Sequence, residues 1–228
     1  MIVIPQRCNG ALRSGHGGYS AGVFAGLLAG PAEVNLRRPV PLETPLDVER
    51  SAEGARVLDG EAVIAEVVAG GELALEVPRV SPVQAREAAA GYRGTGLDEF
   101  ARCYVCGPDR EDAFGVFAAR VGDREVVASP WTPPAWVADH EGRARPEHVW
   151  AALDCPTYYA SYLDGAAMSF LVRLQVRIDA PVAVGEEHVV VAWPLGVDGR
   201  KRHAGAAVLD RDGALLAVAQ GLLVEPRH

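Results

Sequence analysis

The chain has 228 residues, 49% of them hydrophobic, and a formal net charge of −8. That length and apolar content suit a packed globular protein, while the acidic balance argues against nucleic-acid binding and offers no attraction to an anionic membrane surface. The four cysteines, Cys8, Cys103, Cys106 and Cys155, are too sparse for a disulfide framework; no apolar run reaches the roughly 18 residues of a membrane span, and the first residues lack the pattern of a secretion signal, so a cytoplasmic location is expected.

In chain order, Ile2 to Ile4 reads as a short strand, followed by Asn9-Gly10 and Gly15-His16-Gly17-Gly18. A helix of Ala, Gly, Leu, Val and Phe is expected over Tyr19 to Ala29, stopped by Gly30-Pro31. Pro39 to Leu42 then leads through Leu46 and Val48 to Asp59-Gly60, Ala62 to Val68, Gly70-Gly71 and Leu73 to Val77. The Asp-Gly and Gly-Gly pairs are hairpin chemistry, because the favoured two-residue turns need positive φ. Arg79 to Arg102 reads as a linker, partly helical through Val83 to Ala90. Beyond it, strands are expected at Phe114 to Ala119 and Glu125 to Ala128, and a second buried helix at Pro146 to Leu163. Pro181 to Val184 then opens the same order of elements again: Val189 to Leu195, Asp198-Gly199, His203 to Leu209, Asp212-Gly213, Leu215 to Val224.

Each half is thus one apolar helix against an antiparallel meander. The expected class is α+β, a double hotdog of two tandem repeats at residues 1–78 and 103–228 joined by a linker at 79–102. Each repeat would supply the partner that the other's open strand edge needs. A monomeric pseudo-dimer and a homodimer both satisfy that requirement.

Several residues have types and positions suited to chemistry. The N–H groups of Gly17 and Gly18 fall among the unpaired donors at a helix start, where a carbonyl oxygen can be polarised; Asn9 and His16 flank them. The ordinary alternative is that the glycines relieve crowding and the histidine caps the helix. Asp154 is a lone carboxylate in an apolar helix, which demands a partner; it serves either chemistry or the backbone groups disturbed by Pro156. Cys103 and Cys106 form a single C-x-x-C. Cys155, His140 or His148 could complete a metal set, but no second pair has ligand spacing, so packing is expected and no metal. Arg200-Lys201-Arg202 is the densest basic cluster, either a solvated turn or a resting place for phosphates. Pro130 to Trp136 is a stiff aromatic loop that either covers a pocket or closes the core, and Tyr158 and Tyr159 carry the same choice.

N-G-A-L-R-S-G-H-G-G-Y (Asn9 to Tyr19) resembles the Asn, His-Gly-Gly segment of phenylacetyl-CoA-type hotdog thioesterases. W-A-A-L-D-C-P (Trp150 to Pro156) resembles the central helix of tandem hotdog proteins, and C-Y-V-C-G-P (Cys103 to Pro108) a strand entry found in such sequences. The resemblance implies an acidic residue two turns into the helix of one repeat, working with the glycine turn of the other. Ala25 holds that position in the first helix and Asp154 in the second, whose start, Arg145-Pro146-Glu147-His148, lacks paired glycines. One complete site of two is therefore expected: Asp154 as base or nucleophile, Gly17 and Gly18 as oxyanion donors, and Asn9 and His16 positioning the reactants. The expected activity is hydrolysis of an acyl-CoA or acyl-carrier thioester, with coenzyme A entering as part of the substrate, its phosphates on Arg200, Lys201 and Arg202, and no separate cofactor. A catalytically silent acyl-thioester binding protein is the alternative. An enoyl-thioester hydratase ranks last, because Asp154 lacks the downstream histidine that such chemistry pairs with its acid.

Overall fold

The computed structural model describes residues 1–112 and 114–227. Two central helices, α1 (Gly17–Ala25) and α3 (Pro146–Ser161), pack against each other inside one 10-stranded antiparallel sheet. The first repeat contributes β1 (Ala32–Leu36), β2 (Asp47–Ser51), β3 (Gly54–Asp59) and β4 (Ala62–Ala69). The second contributes β5 (Ala119–Arg120), β6 (Val127–Trp131), β7 (Phe170–Ile178), β8 (His188–Asp198), β9 (Lys201–Leu209) and β10 (Leu215–Val224). Their order is β2-β3-β4-β1-β7-β10-β9-β8-β6-β5, so the halves meet at β1 and β7, where Val34 stands opposite Leu174. This is the double hotdog.

The Asp-Gly turns behave as their chemistry predicts. Gly60, Gly199 and Gly213 adopt φ values of +57°, +55° and +87°, and each joins neighbouring antiparallel strands. Helix α1 starts at Gly17, because His16 Nδ1 accepts the Tyr19 N–H, and it ends at Ala25, where tighter turns through Gly26 bring the chain round to β1. Gly18 and Gly22 let it lie close to α3. A Cβ on Gly18 would stand 2.4 Å from Asp154 Cβ, and one on Gly22 would stand 2.6 Å from Glu147 Cα.

Several expected strands take other forms. Ile2 to Ile4 makes only an isolated bridge, Ile2 with Leu46. Residues 114–118 turn back on the 103–107 segment, Phe114 N–H donating to Tyr104 O and Gly115 N–H to Val105 O, which leaves only Ala119 and Arg120 to pair with β6. Residues 71–80 leave the sheet instead of forming a strand. Gln175 and Arg177 of β7 donate to Gly71 O and Leu73 O and pin that segment across the seam. The chain then enters α2 (Pro82–Ala90), started by a Ser81 capping box, whose Ala85 and Ala88 pack on Val189, Val191 and Trp193 of β8. Val190 and Ala192 face the other way, into the main core with α3. With both faces covered, β8 reads as a continuous apolar run rather than an alternating one.

Candidate active site

The first candidate segment is latched at both ends by main-chain bonds. Gly10 N–H donates to Ser14 O (2.7 Å), Gly15 N–H to Val40 O (2.7 Å) and His16 N–H to Cys8 O (2.8 Å), which fixes the turn ahead of α1. From the other repeat, α3 carries Asp154 and Cys155 to the same place. The two helices meet in one contact: Gly18 N–H donates to Asp154 Oδ2 at 2.6 Å. A carboxylate at the positive end of a helix, accepting a main-chain N–H, is the arrangement expected of a buried acid that must stay paired. Pro156 does not claim that side chain; Thr157 Oγ1 instead donates to the Asp154 carbonyl at 2.7 Å.

Asp154 is buried. Burial pushes its carboxyl up from the usual carboxylate range, against the opposing pull of His16 and the Gly18 N–H, and the Cys103 sulfur adds to the rise. His16 Nδ1 stands 3.7 Å from Asp154 Oδ2 and accepts the Tyr19 N–H at 3.2 Å. The neutral ring therefore holds its proton on Nε2, aimed at Cys155 Sγ 3.1 Å away. Burial lowers the His16 pKa, but the neighbouring Cys103 sulfur and Asp154 carboxylate outweigh it and the net direction is upward.

These groups form one end of a cavity of about 450 Å³ between the repeats. Its walls are mainly apolar, with Leu36, Val40, Phe100, Phe170, Leu171 and Leu223 beside Tyr158 and Tyr159. The volume suits a small ligand or the acyl part of a larger one. Both tyrosine hydroxyls are engaged, Tyr158 with Ala167 O (3.0 Å) and Tyr159 with Tyr92 (2.6 Å), leaving their rings as wall. Gly17 lines the cavity, and its N–H has no hydrogen-bond partner among the described residues.

The structure brings His16, Gly17, Gly18 and Asp154 together and sets the other candidates apart. Asn9 does not line the cavity; its amide donates to Arg102 O (2.8 Å) and accepts from Arg110 (2.6 Å), tying the first turn to the 102–110 segment. Arg200, Lys201 and Arg202 also lie off the cavity wall. Arg202 pairs with Glu225 at 2.9 Å, Lys201 with Asp198 at 3.4 Å, and Arg200 donates to Glu225 O. Trp131 is buried in the core, and Trp136 stacks under Arg7 at 3.9 Å, so the aromatic loop closes the protein rather than the cavity. Arg37 and Arg38 are the cations on the cavity wall, in the stretch after β1. Arg37 pairs with Glu66, whereas the Arg38 guanidinium has no partner among the described residues. Two adjacent arginines directly before Pro39 were a visible signal for that position.

The second pseudo-symmetric position is also present. Asp154 is the ninth residue of α3 and Ala25 the ninth of α1. Ala25 lies with Pro146 and Glu147 in an open depression, where a methyl group replaces the carboxylate and the start of α3 lacks glycine. The repeats share a central helix and an antiparallel meander and carry different side chains at this position.

No family model and no curated protein matches the chain. Among solved structures, it is similar to a conserved hot dog protein of unknown function from Alicyclobacillus acidocaldarius, covering 94% of this chain and 88% of that one (TM-score 0.59, 15% identity). It is equally similar to the tesB protein of Mycobacterium avium subs. paratuberculosis, covering 96% and 92% (TM-score 0.58, 12% identity). The chain spans 61% of the length of a thioesterase superfamily protein that matches 55% of it (TM-score 0.49, 22% identity). Near-complete coverage of both partners in the first two comparisons identifies the class, a double hotdog protein. The resemblance to thioesterase-like hotdog proteins holds at the level of fold.

Proposed function

We propose that this protein hydrolyses acyl thioesters in the cavity between its repeats, with Asp154 as the base or nucleophile. One observation carries the reading: a buried carboxylate from one repeat meets the positive helix start of the other at the end of an apolar cavity of acyl size. In this reading the Gly17 N–H polarises the thioester carbonyl. Asp154 takes the proton of an attacking water as its oxygen bonds to the carbonyl carbon, or attacks directly and is released by water. The C–S bond breaks, the acyl group leaves as a carboxylic acid, and the thiol departs with a proton. Gly18 holds Asp154 in place rather than serving as a second oxyanion donor, and Arg38 replaces Arg200, Lys201 and Arg202 as the phosphate contact for a coenzyme A carrier.

A panel of acyl-CoA esters, followed by thiol release, tests this. Asp154→Asn keeps an acceptor for the Gly18 N–H and loses the basic oxygen, so hydrolysis falls about 100-fold or more. Equal rates for wild type and variant overturn the mechanism. The second reading, a silent acyl-thioester binding protein, is favoured by the engagement of the Gly18 N–H with Asp154, which leaves one free amide where two were expected. It predicts saturable binding of an acyl-CoA with thiol release no faster than the blank.

A further inference from the structure

The thioesterase reading leaves three buried thiols unexplained. Cys103, Cys106 and Cys155 all line the cavity beside His16. They come from three parts of the chain: His16 caps α1 in the first repeat, Cys103 belongs to the segment after the linker, and Cys155 sits on α3. The His16, Cys103 and Cys155 ligand atoms all lie within 4.8 Å of one another. Cys103 Sγ and Cys155 Sγ are 3.7 Å apart, and His16 Nε2 is 3.1 Å from Cys155 Sγ.

Those distances match a specific chemistry. Two sulfurs each about 2.3 Å from a tetrahedral zinc ion stand about 3.8 Å apart, and a sulfur and an imidazole nitrogen about 3.6 Å. The thiol pair already has that spacing, and His16 Nε2 stands about 0.5 Å closer to Cys155 Sγ than such a site needs. We propose that His16 Nε2, Cys103 Sγ and Cys155 Sγ bind a thiophilic divalent metal ion of the zinc type, with the fourth position open to the cavity. Each thiol gives up its proton to solvent on binding, and the His16 proton moves from Nε2 to Nδ1, which then releases the Tyr19 N–H and carries its proton on the side of Asp154 Oδ2, 3.7 Å away. Cys103 of the C-x-x-C motif thus finds its partners not in Cys106 but in His16, just ahead of α1, and Cys155 of α3. The inference does not depend on thioester hydrolysis, because metal uptake is measured without substrate.

Reduced, chelator-treated full-length protein is titrated with Co(II). The expected result is sulfur-to-cobalt charge-transfer bands and visible bands of tetrahedral cobalt, saturating at one equivalent, displaced by Zn(II), with a rise in Tm on Zn(II) addition. Cys103→Ser and Cys155→Ser lose those bands, while Cys8→Ser, a buried thiol off the cavity wall, keeps them. X-ray absorption at the zinc edge of the wild-type protein requires no variant to fold and is expected to show two sulfurs and one nitrogen. Absence of stoichiometric uptake, bands unchanged in both serine variants, or a zinc shell without sulfur overturns the proposal.

Discussion

His148 shows how much of a buried polar residue's behaviour is set by its partners. Arg145 Nη2 lies 2.9 Å from His148 Nε2, and arginine only donates, so Nε2 accepts and Nδ1–H donates to Tyr104 Oη, also at 2.9 Å. Burial, and then the positive charges of Arg145 and Arg7, push the imidazole down to about 3. Between that value and the ordinary 6.5, the unfolded chain binds a proton that the native protein does not. The part of the stability due to His148 is therefore complete above pH 6.5 and is lost as pH drops toward 3. His148→Gln removes this titration, so the stability advantage of wild type over variant shrinks by about 3 kcal/mol between pH 7 and pH 4. Urea unfolding at several pH values checks it, and parallel stability curves would sink the assignment. At this scale, half of the candidate site was legible in the sequence. The glycine turn and Asp154 carry recognisable chemistry in their own residue types. The consumption of the Gly18 N–H by Asp154, the use of Asn9 as a loop tie and the meeting of His16 with two distant cysteines depend on three-dimensional contact, which local patterns do not encode.

The same limit appears among the elements. The Asp-Gly hairpins and both central helices were legible because turn glycines, Pro146 and apolar runs act locally. Strand β7, not among the expected elements, carries a local signal too, Val172, Leu174 and Val176 alternating with Arg173, Gln175 and Arg177 between the helix and Pro181. Strand β1 carries the same signal over five residues, Ala32, Val34 and Leu36 alternating with Glu33 and Asn35, but its central place in the sheet comes from pairing on both edges. Among the glycines of α1, Gly17 and Gly18 carry a chemical reading beside the alternative that they relieve crowding, and the structure gives Gly18 and Gly22 a packing role. Gly22 faces the Glu147 and Trp150 region of α3, where an added Cβ would stand 2.6 Å from Glu147 Cα and 2.8 Å from Trp150 Cβ. Neither is the end of a flexible side chain, so the helices must separate. Gly22→Ala is expected to cost about 1–2 kcal/mol in urea unfolding, after allowance for alanine's better helix propensity. Gly30→Ala, which meets nothing within 4 Å, is expected to be neutral or slightly stabilising. Equal stabilities for the two variants would show that α1 and α3 are not closely packed.

At the scale of the molecule, the seam decides whether two repeats behave as one protein. Strands β1 and β7 are both central, and Val34 and Leu174 face each other there with no solvent exposure. Across the same boundary α1 lies on α3, and residues 71–73 are bonded to β7, so neither half retains a complete surface when the other unfolds. The expected consequence is a single cooperative unfolding transition. The sequence provides a probe, because all four tryptophans, Trp131, Trp136, Trp150 and Trp193, belong to the second repeat, while far-ultraviolet circular dichroism reports on both. Fluorescence and dichroism are therefore expected to give one shared midpoint in urea. Leu174→Ala leaves a cavity at the seam and costs about 2–5 kcal/mol, moving both midpoints down together. If the repeats were energetically separate, the dichroism signal would show a phase to which tryptophan fluorescence is blind. The candidate site draws its groups from both sides of that seam, so a variant that uncoupled the halves would separate Asp154 from Gly18 before either repeat lost its own strands.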